Sequence, residues 1–111
     1  MITSLSQLDP NGSYTYADYL LWKFEERIEL LRGHIAQMAA PSRFHQKIVG
    51  KIYTPISNLL WKSVCEAYTA PFDVRLTHFS SKQNKDITTV VQPDICVICD
   101  PAKLDDRGCI G

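Results

Sequence analysis

Three side chains in this sequence could bind a hard cation or move a proton: Glu29, His45 and Asp94. Asp94 follows Gln92-Pro93 and leads into Ile95-Cys96-Val97-Ile98-Cys99. That continuous apolar run reads as a strand buried on both faces. A carboxylate at its mouth is costly unless it is paired. Asp94 therefore either caps a turn with Pro93 or holds a divalent cation at the edge of a sheet. Glu29 lies in Arg27-Ile28-Glu29-Leu30-Leu31, among apolar neighbours. It is either a solvated strand residue or a carboxylate held in a cleft, where low polarity or a metal would perturb it. His45 falls in the first turn of a helix and in the middle of that helix's apolar stripe. It is either a packed core histidine or a functional one facing a site.

The four cysteines offer a second possible chemistry. Cys96 and Cys99 have the CxxC spacing of zinc and redox sites, but they lie inside a β-type run. Residues three apart on a strand point to opposite faces, so the pair does not readily share a metal. No second pair completes a four-ligand set. The expectation is buried free thiols in a reducing cytoplasm, with a zinc or redox role as the alternative.

The elements that must position these groups follow from local pattern. Residues 1–13 read as a flexible lead-in with a turn at Asp9-Pro10-Asn11-Gly12. Thr15 and Asp18 have capping-box spacing and predict a helix running to about Glu25-Glu26. Arg32-Gly33 predicts a tight hairpin, with Ile28 opposite Gln37, Glu29 opposite Ala36 and Leu30 opposite Ile35. Ser42 is a good N-cap for a helix reaching about Lys62. Phe44, Ile48, Val49, Ile52, Ile56 and Leu59 give that helix one apolar face, interrupted by Pro55, which should kink it or make it irregular. Strands are expected at Val64–Tyr68 and Phe72–Leu76, the second with Phe72, Val74 and Leu76 inward and Asp73 and Arg75 outward. His78 belongs to a polar loop reaching Asp86 and should be exposed. Residues 102–111 show no clear element.

With 111 residues and an ordinary apolar content, the chain makes one small α/β domain, occupying residues 14–111. Its formal net charge is zero, which argues against a protein whose task is to coat nucleic acid. No apolar run reaches membrane-spanning length. The first residues lack a secretion signal, so a cytoplasmic location is expected. A strand apolar on both faces needs a layer on each side of its sheet, and the chain supplies few helices. The expected partner is therefore a second copy, or a C-terminal half not contained in this sequence.

Several blocks in order carry a resemblance: residues 14–19 (YTYADY), 27–33 (RIELLRG), 40–46 (APSRFHQ), 70–76 (APFDVRL), 91–95 (VQPDI) and 100–111 (DPAKLDDRGCIG). Together they look like the Uma-two family, bacterial proteins classed as restriction endonucleases in the PD-(D/E)XK superfamily. The resemblance implies a restriction-endonuclease-like mixed sheet flanked by helices, and DNA as the substrate. Pro93-Asp94 matches the family's "PD", Glu29 its early glutamate and His45 a histidine that recurs after the Pro-Ser turn. It implies that Asp94 binds Mg2+ directly and that Glu29 does so directly or through water. The bound ion would then activate water for phosphodiester hydrolysis. The family pattern continues into a strand carrying acid-x-Lys, and no Glu-x-Lys or Asp-x-Lys occurs in these residues. The fold is therefore expected to be incomplete at its C-terminus. This polypeptide alone is expected to cleave little or no DNA, and the alternative is a non-catalytic dimerising remnant of the fold.

Overall fold

The computed structural model describes residues 1–77 and 82–111. Among these residues there are two α-helices, α1 (Tyr16–Tyr19) and α2 (Arg43–Leu59). The seven strands are β1 (Ile28–Leu31), β2 (His34–Gln37), β3 (Glu66–Thr69), β4 (Asp73–Arg75), β5 (Val90–Val91), β6 (Ile95–Ile98) and β7 (Gly108–Ile110). The class is mixed α and β, as expected, and it is consistent with a restriction-endonuclease-like fold. The strands form two sheets. One is five-stranded in the order β2-β1-β5-β4-β7, and the other pairs β3 with β6. All pairings are antiparallel except β4 with β7.

Local chemistry sets the entry points. Thr15 Oγ1 accepts from the Asp18 amide and Asp18 Oδ2 accepts from the Thr15 amide, the reciprocal cap that the spacing predicts. The helix itself is a single turn rather than a run to Glu26. The Leu21 and Trp22 amides bond back three residues, which tightens the chain and ends the helix. The aromatic residues that follow gather into a ring cluster: Tyr19 and Trp22 lie 5.8 Å apart, and Tyr14 meets Trp22 edge-on at 5.2 Å. In the β1–β2 hairpin the expected register holds, with Glu29 opposite Ala36. Both turn residues take positive φ, Arg32 at 53° and Gly33 at 87°, which matches the right-handed twist of the strands. Ser42 caps α2 by accepting from the His45 amide.

The core lies between α1 and the larger sheet. Tyr16, Leu30, Ile87 and Val90 are fully buried, with Ile35, Leu20, Trp22 and Ile110 packed against them. The Tyr16 amide donates to the Ile87 carbonyl at 2.8 Å and fixes α1 on the chain entering β5. Within residues 1–13, Leu5–Gln7 forms a capped 3-10 turn and Leu8 is buried. His78 and the start of its predicted loop lie outside the described residues, and Asn84–Asp86 forms a 3-10 turn.

Four expectations are corrected. The apolar run after Asp94 is not buried on both faces. The chain bends at Asp94 and β6 leaves the larger sheet for β3, so none of its residues is fully buried and Val97 is exposed. Residues 102–111 are not featureless. Gly108–Ile110 extends the larger sheet as β7, parallel to β4. Gly108 is required there, because a Cβ would collide with the Asp73 carbonyl oxygen. The alternation expected at β4 holds at Phe72, which is buried, and fails beyond it, with Arg75 2% exposed and Leu76 at the surface. The Arg75 guanidinium makes a two-pronged pair with Asp105 (2.7 Å on each arm), donates through Nε to the Cys109 carbonyl and lies over the Tyr16 ring at 5.0 Å. These partners satisfy a charge that would otherwise be too costly to bury. Finally, Cys65 and Cys99 are not free thiols but a disulfide, while Cys96 and Cys109 are free. The CxxC cysteines thus part company, as opposite faces of a strand require. Burial pushes the Cys96 and Cys109 thiols up, which makes them poor nucleophiles.

The hydrogen bonds from Arg75 hold the Asp105 carboxyl down at about 2 despite some burial. A folded-state value below the unfolded one of about 4 means the pair stabilises the fold above that pH and stops doing so as pH falls towards 2. Asp105→Asn should therefore lower urea stability at pH 7 by about 2 kcal/mol, less than for a fully buried pair because water screens Asp105. Between pH 4 and 2 the variant should lose less stability than the parent chain. Equal acid limbs would show that the pair contributes nothing.

Candidate functional site

The larger sheet and the first turn of α2 bring Glu29, His45 and Asp94 to the wall of one open cleft of about 430 Å³, lined also by Arg27, Gln37 and Ser42. Each residue arrives by a different route. Glu29 is the second residue of β1 and is half-buried. His45 is aimed by the Ser42 cap at the start of α2. Asp94 sits at the bend between β5 and β6 with its side chain 56% exposed. Asp94 lies at the mouth of β6 and open to solvent, so the cost of burying an unpaired carboxylate does not arise there. His45 Nε2 lies 3.1 Å from Asp94 Oδ2, and the His45 side chain is 42% exposed rather than sealed in a core. Its Nδ1 is a buried atom without a hydrogen-bond partner. Glu29 Oε2 accepts from the Gln92 amide at 2.8 Å, which leaves its other oxygen for a ligand.

Gln92 was not singled out by sequence reasoning, and it is the residue around which the cleft is assembled. It is buried between Val91 and Pro93. Its Nε2 donates to the Tyr19 hydroxyl and to Asp73 Oδ1, both at 2.9 Å. Its Oε1 accepts from Arg27 Nη2 at 3.2 Å and Nε at 3.4 Å. Asp73 Oδ2 in turn accepts from the Tyr16 hydroxyl at 2.8 Å. A buried amide whose donors and acceptor are all used fixes what surrounds it. The signal in the sequence was a glutamine inside a β-branched run, beside a strand whose Asp73 and Arg75 share a face.

The two tyrosines feel this environment. Burial, then the Asp73 carboxylate, pushes Tyr19 up to about 12, and the same causes carry Tyr16 higher still. Both phenols remain neutral donors or acceptors at neutral pH, so the network holds its proton pattern.

Two carboxylates line the cleft against one arginine, which makes it unfavourable for a bare phosphate. Among the described residues no group of three or more His, Cys, Asp and Glu side chains could hold a metal ion. That donor set does not build a closed zinc-type site. Glu29 and Asp94 are the carboxylates on the wall of the cleft, the ligand type that Mg2+ takes together with several waters. Asp94 and Glu29 are the residues that would hold it. Among the described residues no helix is long and apolar enough to cross a membrane.

Tyr19→Phe removes the acceptor for Gln92 and a donor to Asp73, and should cost about 1 kcal/mol. A raised tyrosine value stabilises the fold below about 10 and is lost as pH rises towards 12. The alkaline fall in stability should therefore be shallower in Tyr19→Phe, as read by urea unfolding between pH 9 and 11.5.

Comparison with known proteins places the chain in a lineage. The profile of the Uma2 family, described as "Putative restriction endonuclease", matches residues 16–110, from the start of α1 to the end of β7. No curated protein matches the chain. A match over nearly the whole of its length shows that the chain belongs to the Uma2 family.

Proposed function

We propose that this chain supplies the metal-binding part of a nuclease site that hydrolyses DNA phosphodiester bonds. The observation that carries the reading is the convergence of Asp94, Glu29 and His45 on one cleft, with Asp94 held by His45 and Glu29 held by the Gln92 amide. A bound Mg2+ would supply a lowered water pKa and charge stabilisation for the phosphate. The chain's own residues do the rest. His45 Nε2–H orients the Asp94 carboxylate, as partners of metal ligands commonly do. Arg27, locked by Gln92, presents positive charge at the phosphate's approach. The sequence carries no acid-x-Lys strand, so cleavage by these residues is slow.

A second reading rests on a different observation. The apolar stripe of α2 is only partly covered: Val49 and Ile56 are half-buried, while Phe44, Ile48, Ile52 and Leu59 are exposed. Such a face favours a non-catalytic module that pairs through α2, with a second copy as the partner.

Three measurements separate the readings. Mn2+ titration followed by paramagnetic broadening should show binding that weakens at least tenfold or so in Asp94→Ala and in Glu29→Ala. Supercoiled plasmid with Mg2+ or Mn2+ should be nicked slowly by the parent chain and not by Asp94→Ala. Equal nicking and equal Mn2+ binding by both would sink the nuclease reading. Sedimentation at micromolar concentration should give a dimer if α2 pairs, and Ile52→Glu should return it to monomer.

A further inference from the structure

Beside the acidic cleft lies a second cavity of about 490 Å³, and Arg27 and Pro41 line both. Its chemistry differs. Its walls are aromatic, with the Trp22 and Phe24 rings stacked at 5.8 Å and 22° and Tyr19 next to them. Its rim carries Glu25 and Glu26. The volume is of the size that holds a small organic ligand.

We infer that this cavity receives a single nucleobase, turned out of the stack of a DNA strand whose phosphate lies in the neighbouring cleft. The inference rests on the nuclease reading for its substrate, and on separate observations for its geometry. A pair of near-parallel rings is a platform that a flat heteroaromatic ring extends, as in single-strand binding sites. Two carboxylates against one arginine repel a phosphate here and accept from the N–H groups on a base edge. Guanine, with adjacent N1–H and N2–H donors, fits a carboxylate best. Arg27 stands at the junction, its guanidinium held by Gln92 Oε1, where the sugar-phosphate must pass between compartments. A base must leave the duplex to reach such a pocket, so the site selects single-stranded, mismatched or easily unpaired DNA.

The test uses nucleosides, which carry no phosphate and need no metal. Amide shifts of the 15N-labelled chain are followed on titration with deoxyguanosine and with thymidine, in EDTA. Shifts should centre on residues 22–27, and deoxyguanosine should bind more tightly. Phe24→Ala should weaken binding roughly tenfold, in line with the loss of one stacking partner, and Phe24→Trp should restore it. The Glu25→Gln, Glu26→Gln double variant should erase the preference for deoxyguanosine while the fold, read by the unshifted amides of β1 and β5, stays intact. Shifts absent from residues 22–27, or Phe24→Ala binding like the parent, would overturn the inference. Nucleoside shifts without Asp94-dependent Mn2+ binding or nicking would sink the nuclease reading and leave the pocket standing. Nicking without nucleoside shifts would do the reverse.

Discussion

The buried amide of Gln92 is the constraint on which the rest of this structure depends. It joins α1, the approach to β1, and β4 through one planar group, and its own backbone N–H reaches Glu29. Each partner is itself committed: Tyr19 to the aromatic cluster, Asp73 to Tyr16, and Arg27 to the rim shared by both cavities. A residue with a different donor and acceptor pattern would strand at least one polar group out of water, and such groups are expensive to leave unpaired. The position next to Pro93-Asp94 is thereby fixed by hydrogen bonding, although the cleft it borders is open to solvent.

That division explains the electrostatic character of the site. The inward part is a closed hydrogen-bond network: phenols kept protonated by burial, an amide, and the Asp73 carboxylate surrounded by donors. The outward part is acidic, with Asp94 at a bend and Glu29 half-buried on β1. An acidic rim on such a frame favours cations over anions. Arg75 and Asp105 do similar work one strand away, where a buried guanidinium pins β7 and the turn before it to β4.

What was legible in the sequence was local. The Thr15 and Ser42 caps, the Arg32-Gly33 hairpin and its register, and the amphipathic α2 all follow from residues within a few positions of one another. The three cleft residues were also legible, through residue type and through the family blocks. What was not legible depends on distant pairing. Arg75 reads as a surface residue until Asp105 and the Cys109 carbonyl are placed beside it. The Cys65–Cys99 bridge joins positions 34 residues apart, and no spacing rule selects it. β7 is three residues long and begins with glycine, too short for any alternation to register. The apolar run after Asp94 misled for a similar reason. Its composition suits a central strand, but the bend at Asp94 sends it to a two-stranded sheet with an exposed side.

The strand order β2-β1-β5-β4-β7 also dictates the order of assembly. β1 and β2 are neighbours in the chain and in the larger sheet and are joined by a two-residue turn, and such hairpins close within microseconds, whereas β4 and β5, also consecutive, are joined by the longer connection of residues 76–89. The pairing of β1 with β5 must wait for a long loop to close, and contacts of that kind set folding rates in β-rich chains. The bond between Glu29 and Gln92 spans 63 residues across that same seam. The acidic cleft is therefore completed late, after the hairpin that carries one of its walls, and a nascent chain exposes Glu29 on a finished hairpin well before Asp94 has a place to go.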